Sequence, residues 1–436
     1  MQAVIMAGGK GTRLRSITND DIPKPMAHIA GKPILHWQVE CLRKNGITDI
    51  IMVIEHLGEK IETFFGNGSN FGVNITYYWE VQPLGTAGAL YDLQNQIMDN
   101  YFLLVFGDVI FDIHLARMEQ YHIAKAALGT LFVHPNSHPY DSDLVVTDDN
   151  EKIIRFDSKN NKRSYWYNNC VNAGFYILSK EICKLVKPGI KTDLEKDVLM
   201  PLVAQKQAVY AYASPEYIKD VGTPERISTA SHEIENGYVA ARNLTKKQKC
   251  IFIDRDGTLN QHKGLISHED DFVLESSAIE AIKRINASGY LAIVITNQPV
   301  VARGLCDVLD IENIHNKMKT LLGREGVLLD DVLFCPHHPD KGYPEENPVY
   351  KVSCKCRKPQ TGMIETCVEK FNIDITQSWI IGDTTIDIQT GKNAGLYTAL
   401  VLTGEAGKDG KYEVKSDLVC GNILEAVEQI LKIEEI

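Results

Sequence analysis

The sequence predicts an α/β protein with two domains, each built on a doubly wound, mostly parallel β-sheet. At 436 residues the chain is longer than one ordinary domain. In both halves, short apolar runs alternate with helix-length amphipathic segments, as in parallel sheets covered by helices. A polar, basic stretch, ARNLTKKQK at 241–249, separates the two series. We therefore expect one domain at residues 1–235, a linker at 236–249 and a second domain at 250–436.

The first series contains five predicted strands and one clearly marked helix. The strands are AVIMAG (3–8), DIIMVIE (49–55), NITYYW (74–79), YFLLVFGD (101–108) and GTLFVH (129–134). The helix spans 33–45 and ends at Gly46, because glycine accepts the left-handed conformation that commonly closes a helix. A glycine-rich stretch, EVQPLGTAGAL at 80–90, is expected to open another helix.

The second series repeats the alternation with different motifs. Its predicted strands are CIFIDRD (250–256), YLAIVITN (290–297), DVLFCP (331–336) and SWIIGD (378–383). Helices are predicted at about 276–288, closed by Gly289, at about 307–324 and at 361–372. The two domains therefore share an architecture, while their motifs indicate different chemistry.

Composition excludes several classes of protein. The net charge of −11 argues against a nucleic-acid binder that relies on a broad basic surface. No apolar run reaches the roughly 18 residues of a membrane span, so no membrane partner is expected. The opening MQAVIMAGG is expected to be a strand rather than a secretion signal. The ten cysteines lack the spacing of a disulfide scaffold, which favours a cytoplasmic location. The sequence leaves homo-oligomerisation open.

The loop AGGKGTRL at 7–14 is suited to binding an anion. It is neither a Walker A loop nor the dinucleotide fingerprint, because Leu14 stands where the third glycine belongs. Gly9 and Gly11 let the backbone approach a phosphate closely, and Lys10 and Arg13 supply positive charge.

Three further positions fit the same chemistry. The prolines of IPKPM give Lys24 a rigid mount. Asp108 follows a buried strand, where a lone carboxylate needs a metal or a cationic partner, and Asp220 precedes another glycine turn. Two carboxylates, a metal and a basic loop suit the attack of a sugar phosphate on a nucleoside triphosphate, since two anions must be held together.

On these ordered motifs, residues 1 to about 230 resemble the sugar-1-phosphate nucleotidyltransferases, a family with a Rossmann-like fold. The resemblance implies the following roles in the nucleotide half of the site. Gly8, Gly9 and Gly11 line the nucleotide, and Gly85 and Thr86 lie against its base. Lys10 and Arg13 bind the phosphates of the nucleotide, Arg13 and Lys24 act in catalysis, and Asp108 and Asp220 hold Mg²⁺. It places the sugar phosphate at Asn172 and Gly174 of NAGFYIL, at Glu195 of DLEKDVL and at Lys159, where Ser158 replaces the family's glutamate.

The second domain ends its strands in residues suited to phosphate chemistry. Asp254 and Asp256 follow the first strand, two positions apart. The other positions are Thr296, Asn297 and Gln298 after the second strand, Lys358 in CRKP, and Asp383 with Asp387 after IIG. In this order the motifs resemble the haloacid dehalogenase (HAD) superfamily of phosphatases over 250 to about 405.

The HAD resemblance implies a two-step hydrolysis. Asp254 would attack phosphorus and form an aspartyl phosphate. Asp256 would protonate the leaving oxygen and later activate water. Asp254, Asp383 and the backbone carbonyl of Asp256 would hold Mg²⁺. Thr296 and Lys358 would bind the phosphoryl oxygens.

The loop CPHHPDKGYPEENPVYKVSCKCRKP indicates one group of phosphatases within the HAD superfamily. The pairs Cys335-x-His337 and Cys354-x-Cys356 offer four ligands suited to tetrahedral, structural Zn²⁺, with His338 as the alternative to His337. Together with DRDGTLN and TNQ…ARG, this loop resembles that of the D-glycero-D-manno-heptose-1,7-bisphosphate 7-phosphatases, with histidinol-phosphatase domains as near cousins. The resemblance places Asn297, Gln298, Arg303 and Arg357 near the substrate; Pro299-Val300 replaces the family's usual Ser-Gly, and Thr384 a frequent lysine.

The two resemblances combine into one functional hypothesis. A heptose 1,7-bisphosphate would lose its 7-phosphate, and the α-heptose 1-phosphate would receive a nucleotide, with GTP favoured, giving GDP-heptose for a lipopolysaccharide, capsule or S-layer glycan. One alternative is another sugar nucleotidyltransferase, using mannose, glucose or a different heptose with UTP, ATP or CTP, fused to a histidinol-phosphatase-like domain. The other is a regulatory protein with one inactive site.

Overall fold

The structure is a computed structural model that describes residues 1–9, 14–19 and 21–434. The chain forms two compact units: the first comprises Met1–His134, Asp143–Asp157 and Val171–Asn243, and the second comprises Pro135–Ser142, Ser158–Cys170 and Leu244–Ile436. Two short segments from the N-terminal half thus belong to the second unit, in which the backbone N–H of Tyr167 donates to Thr320 Oγ1 over 3.0 Å. The stretch expected to be a linker contains a short helix, Tyr238–Ala241.

The first unit contains thirteen strands among the described residues. They are β1 Gln2–Met6, β2 His28–Ile29, β3 Lys32–Pro33, β4 Asp49–Ile54, β5 Asn74–Trp79, β6 Tyr101–Phe106, β7 Val109–Asp112, β8 Gly129–His134, β9 Leu144–Thr147, β10 Ile153–Asp157, β11 Val171–Ser179, β12 Val209–Ala213 and β13 Tyr217–Asp220. All five predicted strands are present, and those at 74–79 and 129–134 have the predicted bounds.

The helices of the first unit cover the faces of its sheet. The α-helices are α1 Arg15–Thr18, α2 Ile34–Lys44, α3 Gly58–Phe65, α4 Leu90–Leu93, α5 Leu115–Ala124, α6 Met200–Ala204, α7 Pro224–Glu235 and α8 Tyr238–Ala241. Shorter 3₁₀ turns lie at Lys24–Met26, Ser69–Phe71 and Lys180–Leu185, and a π-helical turn lies at Leu194–Leu199. Helix α2 confirms the predicted helix before Gly46.

The main sheet of the first unit is mixed rather than mostly parallel. Its order is β10-β9-β11-β6-β1-β4-β5, with β8 paired to β11 and β12. Strands β6, β1, β4 and β5 are parallel, as expected, but β11 runs antiparallel to β6 and β8. Strand β11 is irregular: its pairing register with β8 shifts between Asn172 and Tyr176, and Gly174 adopts a φ of +71°. An irregular strand lacks the simple alternation of side chains by which strands are predicted from sequence.

The second unit is a six-stranded, fully parallel sheet in the order β16-β15-β14-β17-β18-β19. The strands are β14 Cys250–Ile253, β15 Leu291–Asn297, β16 Asp331–Cys335, β17 Trp379–Gly382, β18 Tyr397–Val401 and β19 Leu418–Cys420. The α-helices are α9 Ala278–Ser288, α10 Val308–Arg324, α11 Gly362–Phe371, α12 Thr385–Ala394 and α13 Ile423–Glu434, with 3₁₀ turns at Pro139–Asp141, Glu269–Asp271 and Ile375–Gln377. The four predicted strands and three predicted helices are confirmed within a few residues at each end.

Buried apolar side chains from both faces of each sheet form the cores. In the first unit, Ile5, Met52 and Val105 of adjacent strands are fully buried in one cluster. In the second, Ile253 and Val294 pack with helix residues in another cluster. Polar side chains just beyond the carboxyl ends of parallel strands converge at one edge of a sheet, and this holds for β6, β1, β4 and β5 in the first unit and for all six strands in the second.

Candidate active sites

The first unit has a cleft of about 500 Å³ at the carboxyl edge of its sheet. Residues following β1, β5 and β6 contribute to its wall. Its lining residues are Met6, Gly8, Gly9, Lys24, Pro25, Glu80, Pro83, Gly85, Thr86, Phe106, Gly107, Asp108 and Lys191. Six of the predicted site residues therefore share one cleft. Three others, Lys10, Gly11 and Arg13, lie outside the described residues.

The glycine loop before α4 is tied to the segment that carries Glu195. Gly85 has a φ of +83° and pairs with Thr192, and a Cβ there would lie 2.6 Å from the Thr192 carbonyl oxygen. The Thr86 hydroxyl accepts a hydrogen bond from the Leu194 backbone N–H over 2.8 Å. Glycine is therefore needed at position 85 for close approach of two backbones.

Lys24, Asp108 and Asp220 are the charged residues of the first unit that the structure describes and that are expected to act on the phosphates and the metal. The Lys24 ammonium forms an ion pair with Asp108, and the Asp108 carbonyl accepts from the Val221 N–H over 2.9 Å. Asp220 Oδ2 accepts from Arg226 Nη1 over 2.6 Å, and its buried Oδ1 accepts no hydrogen bond from the described residues. Hard carboxylate oxygens with spare capacity suit Mg²⁺. Sequence reasoning missed Arg226, which lies in the first turn of α7.

The predicted sugar-side residues converge on one carboxylate. Asn172 Nδ2 donates to Glu195 Oε1 over 2.7 Å, and the hydroxyl of the fully buried Tyr176 donates to the same oxygen over 3.1 Å. Burial raises the pKa of Glu195, against the two hydrogen bonds. Gly174 N donates to Asn172 Oδ1. Lys159 lies in the segment that belongs to the second unit, so its contact with the sugar phosphate remains a prediction.

The second unit holds a buried lysine between carboxylates. Lys358 Nζ lies 2.5 Å from both Asp254 Oδ1 and Asp387 Oδ1, and it donates to the Ile295 carbonyl over 3.0 Å. Carboxylate oxygens of Asp254, Asp383 and Asp387 all lie within 4.8 Å of one another. Asp387 was noted in the sequence but given no role; its position four residues after Asp383, in the first turn of a helix, was the available signal.

The charge balance of this cluster fits a divalent cation. Burial raises the pKa of Asp254 to about 7, against the attraction of Lys358 and with the repulsion of Asp387. Burial, followed by repulsion from Asp254 and Asp387, raises the pKa of Asp383 to about 8. Asp383 Oδ1 is buried and receives no hydrogen bond from any described residue. A Mg²⁺ ion on these oxygens would stabilise their ionised forms.

Two glycines enclose Asp383. Gly257 and Gly404 have φ values of +84° and +56°, and a Cβ on either would overlap Asp383 Oδ2. The same oxygen accepts from the Glu405 N–H over 2.7 Å. The carboxylate is thus held in one orientation by the backbone, a feature that sequence reasoning missed.

Asp256 is held by a buried polar network. Arg255, fully buried, donates through Nη2 to both Asp256 oxygens, over 3.0 and 2.9 Å, and to Gln298 Oε1 over 3.0 Å. Gln298 Nε2 donates to Asp256 Oδ2 over 2.8 Å and to Thr296 Oγ1 over 2.9 Å. Gln298, predicted to bind substrate, is itself buried and contacts Asp256. Arg255 Nη1 also faces His315 Nε2 over 3.3 Å.

The remaining predicted substrate residues surround the loop that carries Lys358. Asn297 bonds Lys358 with both ends of its amide, donating to the carbonyl over 3.1 Å and accepting from the N–H over 3.0 Å. Arg357 Nη1 donates to the His337 carbonyl, and Arg303 Nη2 donates to the Tyr343 hydroxyl, each over 3.1 Å.

The four predicted zinc ligands form one cluster. Cys356 Sγ lies 3.2 Å from the sulfurs of Cys335 and Cys354 and 3.5 Å from His337 Nδ1. Three thiols and one imidazole at mutual distances below 4.8 Å could hold Zn²⁺. His338 is directed elsewhere, since its Nδ1 accepts from the Asp340 N–H over 3.2 Å.

Known proteins match both halves of the chain. Residues 2–237 match the nucleotidyl transferase family, and residues 355–426 match the HAD-hydrolase-like family. D-glycero-alpha-D-manno-heptose 1-phosphate guanylyltransferase of Aneurinibacillus thermoaerophilus is 34% identical over 54% of this chain and 99% of its own length. D-glycero-beta-D-manno-heptose-1,7-bisphosphate 7-phosphatase of Haemophilus ducreyi is 36% identical over 41% of this chain and 97% of its own.

A longer relative is matched only in part. UTP–glucose-1-phosphate uridylyltransferase of Synechocystis is 35% identical over 48% of this chain, and the match spans 57% of that relative's length. The chain therefore belongs to the nucleotidyl transferase family in its N-terminal half and to the HAD-type phosphatases in its C-terminal half. It is a bifunctional enzyme, and the predicted pairing of these two classes is confirmed. Among the helices of the described residues, none has the length and apolar character needed to cross a membrane.

Proposed function

We propose that this enzyme catalyses two consecutive steps in the formation of GDP-heptose. The phosphatase removes the 7-phosphate from D-glycero-α-D-manno-heptose 1,7-bisphosphate, and the transferase joins the resulting 1-phosphate to GMP from GTP. One observation carries the proposal: the two relatives matched over nearly their whole lengths are named for a heptose 1-phosphate and a heptose 1,7-bisphosphate, which differ by the phosphate that a 7-phosphatase removes and by the anomer. For a single anomer, the product of the phosphatase half is the substrate of the transferase half.

In the phosphatase half, an Asp254 oxygen attacks the 7-phosphorus while the bond from phosphorus to the sugar oxygen breaks. Asp256 gives its proton to that oxygen and then accepts a proton from the water that hydrolyses the aspartyl phosphate. Lys358 and Thr296 bind the phosphoryl oxygens. Asp254, Asp383 and the Asp256 carbonyl would hold Mg²⁺, which would supply charge neutralisation at the phosphoryl group.

In the transferase half, an oxygen of the sugar 1-phosphate attacks the α-phosphorus of GTP and pyrophosphate leaves. Lys24 neutralises charge between the two reacting anions. Asp108 and Asp220 would hold Mg²⁺, which supplies further charge stabilisation when bound. Glu195, fixed by Asn172 and Tyr176, offers an acceptor for a sugar hydroxyl. We propose a purely structural Zn²⁺ at Cys335, His337, Cys354 and Cys356, and a cytoplasmic location in keeping with ten free thiols.

The names of the two relatives disagree on the anomer of the heptose phosphate. The guanylyltransferase relative is named for the α-anomer, whereas the phosphatase relative is named for the β-anomer. We propose the α-anomer for both sites, because a β-product would not be a substrate of an α-specific transferase in the same chain.

The test uses the purified full chain with Mg²⁺, either anomer of heptose 1,7-bisphosphate, and GTP, ATP, UTP or CTP in separate reactions. Phosphate, pyrophosphate and product mass are followed together. We expect phosphate release from the α-anomer with any of the four nucleotides, and a GDP-heptose mass only from the α-anomer with GTP. Phosphate release without a nucleotide sugar would rule out heptose 1-phosphate as the substrate of the transferase half. Other sugar 1-phosphates would then be tested with the same four nucleotides. The absence of phosphate release would remove the heptose assignment.

A further inference from the structure

Arg255 lies between Asp254 and Asp256 in the chain, and its side chain is fully buried. A buried guanidinium needs a counter-charge and acceptors for its N–H groups. Asp256 supplies the charge: Arg255 Nε donates to Asp256 Oδ1 over 3.2 Å, and Nη2 donates to both carboxylate oxygens over 3.0 and 2.9 Å. The Asp256 side chain is 22% exposed, so the guanidinium holds this carboxylate while leaving it accessible.

The remaining nitrogen of the guanidinium contacts helix α10. Arg255 Nη1 lies 3.3 Å from His315 Nε2, and it makes no other hydrogen bond among the described residues. His315 is 5% exposed, and the Phe334 ring packs edge-on against it, with centroids 5.3 Å apart. Because a guanidinium can only donate, Nε2 is the acceptor and the imidazole is neutral. Burial, together with repulsion from Arg255 and Lys319, keeps the pKa of His315 well below its usual range, in agreement with a neutral ring.

Two amide side chains complete the support of Asp256. Gln298 accepts from Arg255 Nη2 over 3.0 Å and donates to Asp256 Oδ2 over 2.8 Å. Asn260 Nδ2 donates to Asp256 Oδ1 over 3.1 Å. The network thus joins the loop after β14, the loop after β15 and helix α10. Within the part of the chain that the structure describes, His315 makes no hydrogen bond to Asp256 itself, so it acts on this carboxylate through Arg255.

We propose that His315 is a positioning residue for the phosphatase reaction: it fixes the Arg255 guanidinium, which orients Asp256 for proton transfer. The inference rests on the proposed role of Asp256 as the acid. In that step Asp254 forms its bond to phosphorus, the bond from phosphorus to the ester oxygen breaks, and the proton moves from Asp256 to that oxygen. A general acid works only within hydrogen-bond reach of the atom that it protonates. Without an acceptor at His315 Nε2, the buried Nη1 loses its hydrogen bond, and the guanidinium and the carboxylate shift together.

The test uses phosphate esters whose leaving oxygens differ in basicity. A p-nitrophenolate leaves readily without a proton, phenolate less readily, and a sugar alkoxide least. The full chain with Mg²⁺ is therefore given p-nitrophenyl phosphate, phenyl phosphate or heptose 1,7-bisphosphate. The quantity compared is kcat/KM, because it covers the steps up to the departure of the first product. It includes the donation of the proton but not the later hydrolysis of the aspartyl phosphate.

His315→Asn and His315→Gln form a matched pair, because the glutamine oxygen can reach the position of Nε2 and the shorter asparagine side chain cannot. In His315→Asn we expect kcat/KM to fall about 10- to 100-fold for the heptose ester, less for phenyl phosphate, and less than about threefold for p-nitrophenyl phosphate. His315→Gln should recover most of the loss. His315→Leu, which lacks an acceptor, replaces His315→Asn if that variant does not fold. Thr320→Val removes another buried hydrogen bond of α10, to Tyr167, and should show no dependence on the leaving group.

Asp256→Asn separates a failure of this inference from a failure of the proposed function. Its loss of kcat/KM should grow with the basicity of the leaving oxygen, and an equal loss for all three esters would remove Asp256 as the acid. If Asp256→Asn shows this dependence and His315→Asn does not, or if His315→Gln loses as much as His315→Asn, the positioning role is refuted. If the chain hydrolyses both aryl esters but not the heptose ester, the heptose proposal fails while the aryl pair still decides on His315.

Discussion

At the residue scale, Gly404 and Gly410 share a left-handed backbone but not their surroundings. Their φ values are +56° and +60°. A Cβ at Gly404 would overlap Asp383 Oδ2, whereas one at Gly410 would meet only the Lys408 carbonyl oxygen, at 4.0 Å. A Cβ at Gly404 would also lie 2.8 Å from the Gly257 Cα, so the pair separates left-handed backbone strain from crowding around Asp383.

We predict that Gly404→Ala loses phosphatase activity while Gly410→Ala keeps it. Each substitution places a Cβ in left-handed backbone and should lower stability by about 1–2 kcal/mol. Only Gly404→Ala moves Asp383. Phosphate release and thermal unfolding, measured on both variants, check this. Equal activities in the two variants would show that the orientation of Asp383 is unimportant.

Asp108 offers a second prediction at this scale. Replacing it with asparagine keeps the shape but removes the charge that pairs with Lys24 and, by our proposal, holds Mg²⁺. We expect pyrophosphate release to fall about 100-fold or more, because metal-ion catalysis contributes several kcal/mol. Phosphatase activity should stay unchanged in the same sample. The control is Asp99→Asn, at a half-exposed carboxylate paired with the chain's amino group; a similar loss there would contradict a specific role for Asp108.

At the scale of elements, the loop between β16 and α11 joins two sites. It carries three of the candidate zinc ligands, with Cys335 at the end of β16, and it also carries Lys358, whose ammonium contacts Asp254. The ligand sulfurs lie 3.2–3.5 Å apart without disulfide bonds, and by our proposal a Zn²⁺ ion would hold them together.

We predict that Cys354→Ser removes zinc and lowers phosphatase activity at least about tenfold, with a lower unfolding temperature, because metal binding stabilises this loop. Nucleotidyl transfer should be retained. Cys306→Ser, at a partly buried thiol outside the cluster, is the matched control and should keep one zinc per chain. Unchanged metal content in Cys354→Ser would exclude the site.

Helix α12 shows how one side chain serves an element and a site together. Asp387 Oδ2 accepts from the Thr384 hydroxyl over 2.5 Å and closes a capping box, while Oδ1 faces Lys358. A capping pattern is local and can be predicted from sequence. The ion pair with Lys358, 29 positions away, cannot, because it depends on how α12 docks on the sheet.

At the scale of the whole molecule, each unit contains its own complete set of proposed catalytic groups. The lining residues of the cleft belong to the first unit, and Asp254, Asp256, Lys358 and Asp383 belong to the second. The two reactions can therefore be separated by substitution, and the intermediate must move from one site to the other.

We predict that an equimolar mixture of Asp108→Asn and Asp254→Asn chains restores nucleotide-sugar formation from the bisphosphate. Each variant lacks one step, and a freely diffusing sugar 1-phosphate lets them complement each other. Product mass is followed over time, and each variant alone serves as the control. If the mixture made no product while each variant kept its remaining activity, transfer within one chain would be required.

The sequence alone determined the α/β class, the strands that precede the motifs and the two classes of enzyme. These features depend on residues close together along the chain: apolar runs that form strands, and the polar residues that follow them, such as Gly8 and Asp254. The pairs Cys335-x-His337 and Cys354-x-Cys356 were also predictable, because metal ligands recur at short spacing.

The tertiary structure alone decided which residues from different elements come into contact. It placed antiparallel β11 beside parallel β6, joined Asp387 to Lys358, put Gln298 behind Asp256, and brought Lys351 to the ring of Tyr343 beside Arg303. Each of these contacts joins residues from different elements. Their energies depend on burial and on distance in space, which the order of residues in a sequence does not specify.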